Sequence, residues 1–347
     1  GRLFTAAACI PAPPHVDSAL LTDISSPLRW RITHTLPIMS QSTIIAIVGP
    51  TASGKTARAV DLARAVGGEI ISGDSRQVYR GMTLGTGKDL EEYGEVPYHL
   101  IDIEDAGTKY NLYGYLRDAA VALDRIESHG AVPVLCGGTG MYVEAFLRGT
   151  ALPEVPENAL LRARLEGKSL DELTGILASM KTLHNVTDVD TPKRAMRAIE
   201  IQTYYQEHPD EACAVEGSHP RPAVVVGIDV PRDVRRERIT RRLEARLDAG
   251  MVQEVEGLLA SGIDAEALMY YGLEYKYLTM HVLGQLSYDE MFRQLETAIH
   301  QFAKRQMTWF RGMERRGTKI HWLPYDMDRD EFVAAVVELW NFKKSEP

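Results

Sequence analysis

Gly49-Pro50-Thr51-Ala52-Ser53-Gly54-Lys55-Thr56 satisfies the phosphate-loop pattern G-x-x-x-x-G-K-[ST] at every fixed position. The residues before it, Thr43-Ile44-Ile45-Ala46-Ile47-Val48, form a short β-branched run of the kind that makes a buried parallel strand. After it, Lys55 to Val66 has helical spacing, with Ala59, Leu62, Ala63 and Val66 on one face and Gly67-Gly68 as a stop. A strand, a glycine loop and a helix N-terminus converge backbone N–H groups and the positive end of the helix dipole on one point, where a di- or triphosphate can sit. Lys55 adds a point charge on the outer phosphate, and the Thr56 hydroxyl is placed to hold Mg²⁺.

The chain has 347 residues, 45% hydrophobic and 25% charged, enough for one large α/β core with a smaller attached unit. The net charge of −9 excludes a protein that coats nucleic acid through bulk charge but leaves room for a local basic cleft. Three scattered cysteines, Cys9, Cys136 and Cys213, are too few for a disulfide framework or a zinc site and point to a reducing, cytoplasmic setting. No stretch approaches the roughly 18 apolar residues that cross a membrane.

Residues 1–38 carry five prolines and no periodicity, and Met39 stands just before the first strand. They read as an extension outside the fold: a leader, a targeting segment or the product of an upstream start. A second strand, Glu69 to Asp74, ends in a carboxylate. In parallel sheets the carboxyl ends of neighbouring strands surround the ligand, so Asp74 belongs near the phosphates, although Asp74-Ser75 also suits a helix N-cap. Lys88, His99 and Asp102 read as solvated or structural. Asn111 to Glu127 is an amphipathic helix, and a third strand, Ala131 to Cys136, runs into the glycine-rich turn Gly137-Gly138-Thr139-Gly140. Cys136 reads as a small buried residue.

From Leu152 the composition shifts to a charged helical stretch that reads as an insertion over 153–190, flanked by a core of 39–152 and 191–347. Thr191-Pro192 then opens a helix bearing Lys193, Arg194 and Arg197, by itself an ordinary basic face. Ala223 to Asp229 is a buried strand, and Pro231 opens a helix with Arg232, Arg235, Arg236, Arg238, Arg241, Arg242 and Arg246. Such a helix suits closure over phosphates or a grip on an RNA backbone. Tyr288 to Arg311 is a long amphipathic helix with Leu295, Ile299, Phe302 and Trp309 inward, and Trp309-Phe310 reads as core. The aspartates Asp326, Asp328 and Asp330 read as a solvated turn. The fold class is therefore α/β: a P-loop NTPase-like parallel sheet flanked by helices, with a small helical insertion and a helical C-terminal part.

Taken together, Gly49 to Thr56, Asp74 to Tyr79, Gly85-Thr86, Pro97 to Asp102, Gly137 to Tyr142, Pro192 to Glu200, Arg238 to Arg242 and Ala303 to Trp309 resemble the tRNA dimethylallyltransferases, the tRNA isopentenyltransferase family, over about residues 43–325. The resemblance implies transfer of a dimethylallyl group from dimethylallyl diphosphate to the exocyclic N6 of adenine 37, beside the anticodon of tRNAs reading codons that start with U. It implies that Gly49, Pro50, Thr51, Ala52, Ser53, Gly54, Lys55 and Thr56 hold the donor's diphosphate with Mg²⁺ at Thr56. Lys55 and Arg238 neutralise the leaving group, Asp74 is the general base and Thr139 lines the channel. Asp74, Ser75, Arg76, Gln77 and Thr139, with Lys193, Arg194, Ala195, Met196 and Arg197, match segments that contact the tRNA anticodon stem-loop.

The chain departs from the family pattern in three places. The 153–190 insertion is shorter than the usual helical domain, Gly272-Leu273-Glu274-Tyr275-Lys276 replaces a Gly-Tyr-Lys-Glu order, and Ala298 to Phe302 stands where a Thr-Arg pair is common. An acceptor of free AMP or ADP, as in the adenylate isopentenyltransferases, is one alternative, and an ATP-dependent small-molecule kinase is another. A monomer without membrane attachment is expected.

Overall fold

A computed structural model describes residues 42–181, 189–209 and 219–345, so the expected N-terminal extension lies outside the described residues. The chain runs β1 (Ile44–Val48), α1 (Lys55–Val66), β2 (Gly68–Ser72), β3 (Tyr98–His99), α2 (Leu112–Ser128), β4 (Val132–Gly137) and α3 (Gly140–Leu147). Three helices follow, α4 (Ala159–Leu165), α5 (Leu170–Met180) and α6 (Pro192–Glu207), then β5 (Ala223–Asp229). The C-terminal part is α7 (Arg232–Asp248), α8 (Met251–Ala260), α9 (Ala265–Tyr270), α10 (Leu273–Val282), α11 (Tyr288–Arg315), β6 (Ile320–Pro324) and α12 (Arg329–Ser345).

The six strands form one sheet in the order β3-β2-β4-β1-β5-β6, and every pairing is parallel. β1 lies in the middle, with Ile45 opposite Val134 of β4 on one side and Val224 of β5 on the other. Its continuous apolar run follows from burial on both faces. Ile44, Ala46 and Val48 join the layer of Tyr115, Phe146 and Phe310 from α2, α3 and α11. Ile45 and Ile47 join the layer of Leu62 from α1 and Phe332 and Val336 from α12. Each of the large side chains among them contributes about 1.5–3 kcal/mol relative to exposure, so the middle strand is a firmly fixed place from which to hang a loop.

Local signals set the helix ends. Gly67 closes α1 in the left-handed region, Asn111 caps α2 through the N–H of Gly114, and capping boxes Ser169/Glu172 and Ser287/Glu290 start α5 and α11. The sequence reading left out β6 and α12. Lys88, His99 and Asp102 are structural. Lys88 is fully buried, its ammonium bound to the Tyr79 carbonyl and to Asp102, and His99 pairs with Glu69 at 2.7 Å.

The expected division at residue 190 runs through a packed unit. Leu165, Leu173 and Leu177 of α4 and α5 share an apolar cluster with Ala195, Ala198 and Ile199 of α6, so α6 packs with the insertion. The physical reason is a buried ionic knot on α6. Glu200, 2% exposed, accepts from Arg162 at 3.0 Å, from the Asn158 N–H at 2.6 Å and from Arg197. Burial alone would raise the pKa of this carboxyl; the bonds from Arg162, Asn158 and Arg197 more than offset that and hold it below its ordinary 4.5.

A depressed carboxyl pKa gives stability that is present above the unfolded value and lost as pH falls through the folded one. Denaturation monitored by amide exchange in α4–α6 should therefore show wild-type protection weakening below pH 4.5. Glu200→Gln should already be weaker at neutral pH by about 1–3 kcal/mol, with no such acid dependence. Equal protection in the two proteins at neutral pH would remove Glu200 from this role.

Candidate functional site

The loop from Gly49 to Gly54 hangs from the central strand and turns on backbone conformations that few residues adopt: Ala52 has φ 60° and Gly54, the residue before α1, has φ 83°. Its position is fixed from far along the chain. The Gln306 side chain of α11 accepts from the Thr51 N–H at 2.8 Å and donates to the Gly138 carbonyl at 2.9 Å, joining the loop after β1 to the turn after β4. A Cβ at Gly138 would stand 2.6 Å from Gln306 Nε2 and 3.4 Å from Lys55 Nζ, so any other residue there would displace Gln306 from its bridge. Lys55 reaches back to the Pro50 carbonyl at 3.5 Å. Burial lowers the pKa of its ammonium, with Cys136 and Asp74 opposing. Cys136, buried beside it, has its thiol pushed up to about 11 by burial.

Asp74 follows β2 and caps no helix. Its Oδ1 accepts from the Arg76 N–H at 2.9 Å, an Asx turn that fixes the carboxylate while leaving Oδ2 without a recorded partner. Thr139 is tied to the same turn: its Oγ1 accepts from the Ser75 N–H at 3.1 Å and its own N–H donates to the Gly73 carbonyl at 3.2 Å. The Gln77 side chain is already used, accepting from the Ser72 hydroxyl and donating to the Gly87 carbonyl, both at 3.1 Å. Arg76 lies over the Tyr270 ring at 5.2 Å.

These parts wall one cavity of about 730 Å³. Thr51 to Thr56, Asp74 to Gln77, Thr139 and Arg238 all line it. The expected arginine, Arg238, packs over Tyr325 at 4.7 Å, with one guanidinium nitrogen 4.0 Å from where a Cβ would lie at Gly54. The sequence reading singled out Arg238 alone, yet Arg242 and Arg246 line the same wall, and Asp89 holds both, Arg246 at 3.3 Å. Their spacing of four and eight residues from Arg238 was the available signal. Glu254 was missed entirely: its carboxylate accepts from the N–H groups of Thr83, Leu84 and Gly85 and from the Tyr275 hydroxyl, fixing the loop that carries Asp89.

Two expectations are corrected at the mouth of the cavity. Phe302 and Trp309 are not inward core residues but 37% and 39% exposed, and both line the cavity, while Phe310 is fully buried. With Met141 and Tyr270 they form an apolar, largely aromatic rim. In the α6 segment, Ala195 is fully buried in the helical cluster and Arg197 is bound to Glu200 and the Val155 carbonyl; Lys193 and Arg194 are exposed, Arg194 pairing with Asp190.

The donor set fits Mg²⁺ shared with a phosphate. The Thr56 hydroxyl and the Asp74 carboxylate line the cavity, and the buried Ser53 hydroxyl has no partner. Among the described residues no group of three or more His, Cys, Asp or Glu side chains could hold a metal by itself.

The chain matches the family model described as IPP transferase over residues 77–313 and the model described as isopentenyl transferase over residues 42–95. It is 60% identical over 293 residues to tRNA dimethylallyltransferase 2 of Bacteroides fragilis, covering 83% of this chain and 94% of that protein. It is 52% identical over 281 residues to tRNA dimethylallyltransferase 1 of Geotalea daltonii, covering 81% and 90%. The solved full-length tRNA isopentenylpyrophosphate transferase of Bacillus halodurans is similar at a TM-score of 0.62 and 32% identity, covering 87% of this chain and 95% of that one. A eukaryotic dimethylallyltransferase solved acting on tRNA shares the fold at a TM-score of 0.73 and 19% identity, covering 88% and 80%.

Replacing Gln306 by Leu removes both bonds of the bridge while keeping most of its volume. Inorganic pyrophosphate binding, measured by calorimetry, should weaken about tenfold, the equivalent of one to two lost hydrogen bonds. An unchanged affinity would mean that the loop holds its shape without α11.

Proposed function

The chain belongs to the tRNA isopentenyltransferase (IPP transferase) family, and from that premise we propose that it transfers the dimethylallyl group of dimethylallyl diphosphate to N6 of adenine 37 in tRNAs reading codons that start with U. One observation carries the reading: the phosphate loop with Lys55 and the Asp74–Thr139 pair line a single cavity with an aromatic rim. The cradle takes the diphosphate, the rim takes the flipped base, and the carboxylate stands where the two meet.

In the reaction the bond from the allylic carbon to the diphosphate oxygen breaks, its electron pair leaving with the diphosphate, while a carbon–nitrogen bond forms to N6. Negative charge grows on the departing oxygen. Lys55, the loop N–H groups and Arg238 are fixed around that position before the reaction starts, so little reorganisation is needed as the charge develops. Mg²⁺, held by Thr56 and the diphosphate, would supply further neutralisation of the leaving group. An exocyclic adenine amine is a weak nucleophile and must lose a proton, and Asp74 takes it. Thr139 sets the height of that carboxylate through Ser75. Flipping the base costs a few kcal/mol of stacking; Trp309, Phe302 and Tyr270 offer π-faces that offset it.

The stem-loop meets Ser75 and Arg76 beside the base and Lys193 and Arg194 on the helical unit, with Gln77, Ala195 and Arg197 supporting these contacts from within. Met196 lies between the two groups on α6. In this reading the protein works as a cytoplasmic monomer.

Incubation with Mg²⁺ and radiolabelled dimethylallyl diphosphate should place label at adenine 37 of an unmodified anticodon stem-loop. Label in AMP instead would move the chain to the free-nucleotide transferases, and phosphorylation from ATP would make it a kinase. Asp74→Asn should lower the single-turnover rate by about 10²–10⁴ while stem-loop affinity stays within a few-fold. A variant that keeps its rate would remove Asp74 as the base.

A further inference from the structure

Arg235, Arg238, Arg242 and Arg246 recur at spacings of three and four along α7, so they form one row. The three inner members line the cavity. Arg242 and Arg246 are bound by Asp89, and Arg238 lies over Tyr325. The row does not stop at the cavity wall. One helical turn further out stands Arg235, accompanied by Arg232 and Arg236 on the same helix and approached by Arg311 of α11. The two helices are clamped there: the Thr240 hydroxyl donates to Glu296, which also meets His300 at 3.7 Å.

Among the described residues, these outer four arginines differ from most others. Arg64, Arg80, Arg162, Arg194, Arg241 and Arg316 each hold a carboxylate. Among the described residues, none of the four outer side chains has a recorded ion pair or hydrogen bond. Asp229 is the carboxylate that comes near Arg235 without closing an ion pair. Burial, then the neighbouring Arg232 and Arg311, lower the pKa of the Arg235 guanidinium, with Asp229 opposing. Burial, then Arg236, lower the pKa of the neighbouring His300 imidazole, as expected beside a cluster of cations. In a chain of net charge −9, a cluster of uncompensated cations beside a cavity focuses field lines outward.

Two anions meet this protein, and the row favours one. Its outermost cavity-lining member, Arg238, stands at the phosphate cradle next to Gly54, whereas the base-side residues Asp74 to Arg76 and Thr139 belong to the loops after β2 and β4. Successive members are about one helical turn, ~5.4 Å, apart, a spacing along which a compact diphosphate can pass from one guanidinium to the next. We propose that Arg232, Arg235, Arg236 and Arg311 form an electrostatic approach path that captures the prenyl diphosphate and delivers it along α7 to Arg238 and the phosphate loop. The inference rests on the reading of this cavity as the donor site.

Stopped-flow association of a fluorescent dimethylallyl diphosphate analogue tests it. Arg232→Gln/Arg235→Gln/Arg311→Gln should associate about tenfold more slowly at low salt and converge with wild type above roughly 0.5 M salt. Its dissociation rate, its single-turnover rate with bound donor and its stem-loop affinity should be unchanged, and the corresponding triple Lys variant should keep the wild-type association rate. Arg232→Gln/Arg311→Gln, altering two exposed side chains, should show a smaller slowing of about threefold. Unchanged association in these variants overturns the proposal. Weaker stem-loop binding with donor association intact also overturns it, and assigns the patch to RNA. A wild-type protein that binds no analogue overturns the donor-site reading and this inference with it.

Discussion

The arrangement depends on one amide side chain. Gln306 bonds the Thr51 N–H and the Gly138 carbonyl, so the loop after β1 and the turn after β4 are held by a helix 255 and 168 residues further along the chain. Gln306 is buried, and a buried amide left without partners costs about 1–3 kcal/mol. The same bond that shapes the phosphate cradle therefore penalises any packing of α11 that would move Trp309 and Phe302 out of the cavity wall. Cradle and rim are one mechanical unit.

Around that unit the charges are arranged in opposition. Lys55, Arg238, Arg242 and Arg246 face the cavity together with Asp74, Asp89, Glu92 and Glu274. Burial raises the pKa of the Glu274 and Glu92 carboxyls and lowers that of the Lys55 ammonium, in each case against the charged form. A diphosphate changes that balance in favour of charged Lys55. Asp89 has a different part: by binding Arg242 and Arg246 it fixes their side chains where an extended arginine would otherwise sample many rotamers.

Much of this was legible in the residues. The P-loop pattern and its flanking strand and helix fixed the central layer, since an apolar run before a glycine loop leaves few alternatives, and α1 spans the expected Lys55 to Val66. What escaped was side-chain direction on long helices. Phe302 and Trp309 share the period of Leu295 and Ile299, so periodicity alone placed them inward; only the cavity between α11 and the strand ends makes them half-exposed. Arg197 looked like its basic neighbours because its partner Glu200 is read as another solvated charge until α4 brings Arg162 to it. Gln306, Glu254 and Asp89 were hidden for the same reason. Each acts on residues more than 150 positions away, a separation at which no local pattern reports contact.

The central claim is that a P-loop cradle here serves a prenyl diphosphate. The most direct test is a crystal structure of the protein with Mg²⁺ and a non-hydrolysable thiolodiphosphate analogue of the donor, grown in excess ATP. The account predicts the diphosphate against residues 51–56, with Lys55 and Arg238 within hydrogen-bond distance and the isoprenoid tail pointing toward Asp74 and Thr139. ATP in that cradle, with the analogue elsewhere or absent, would contradict it.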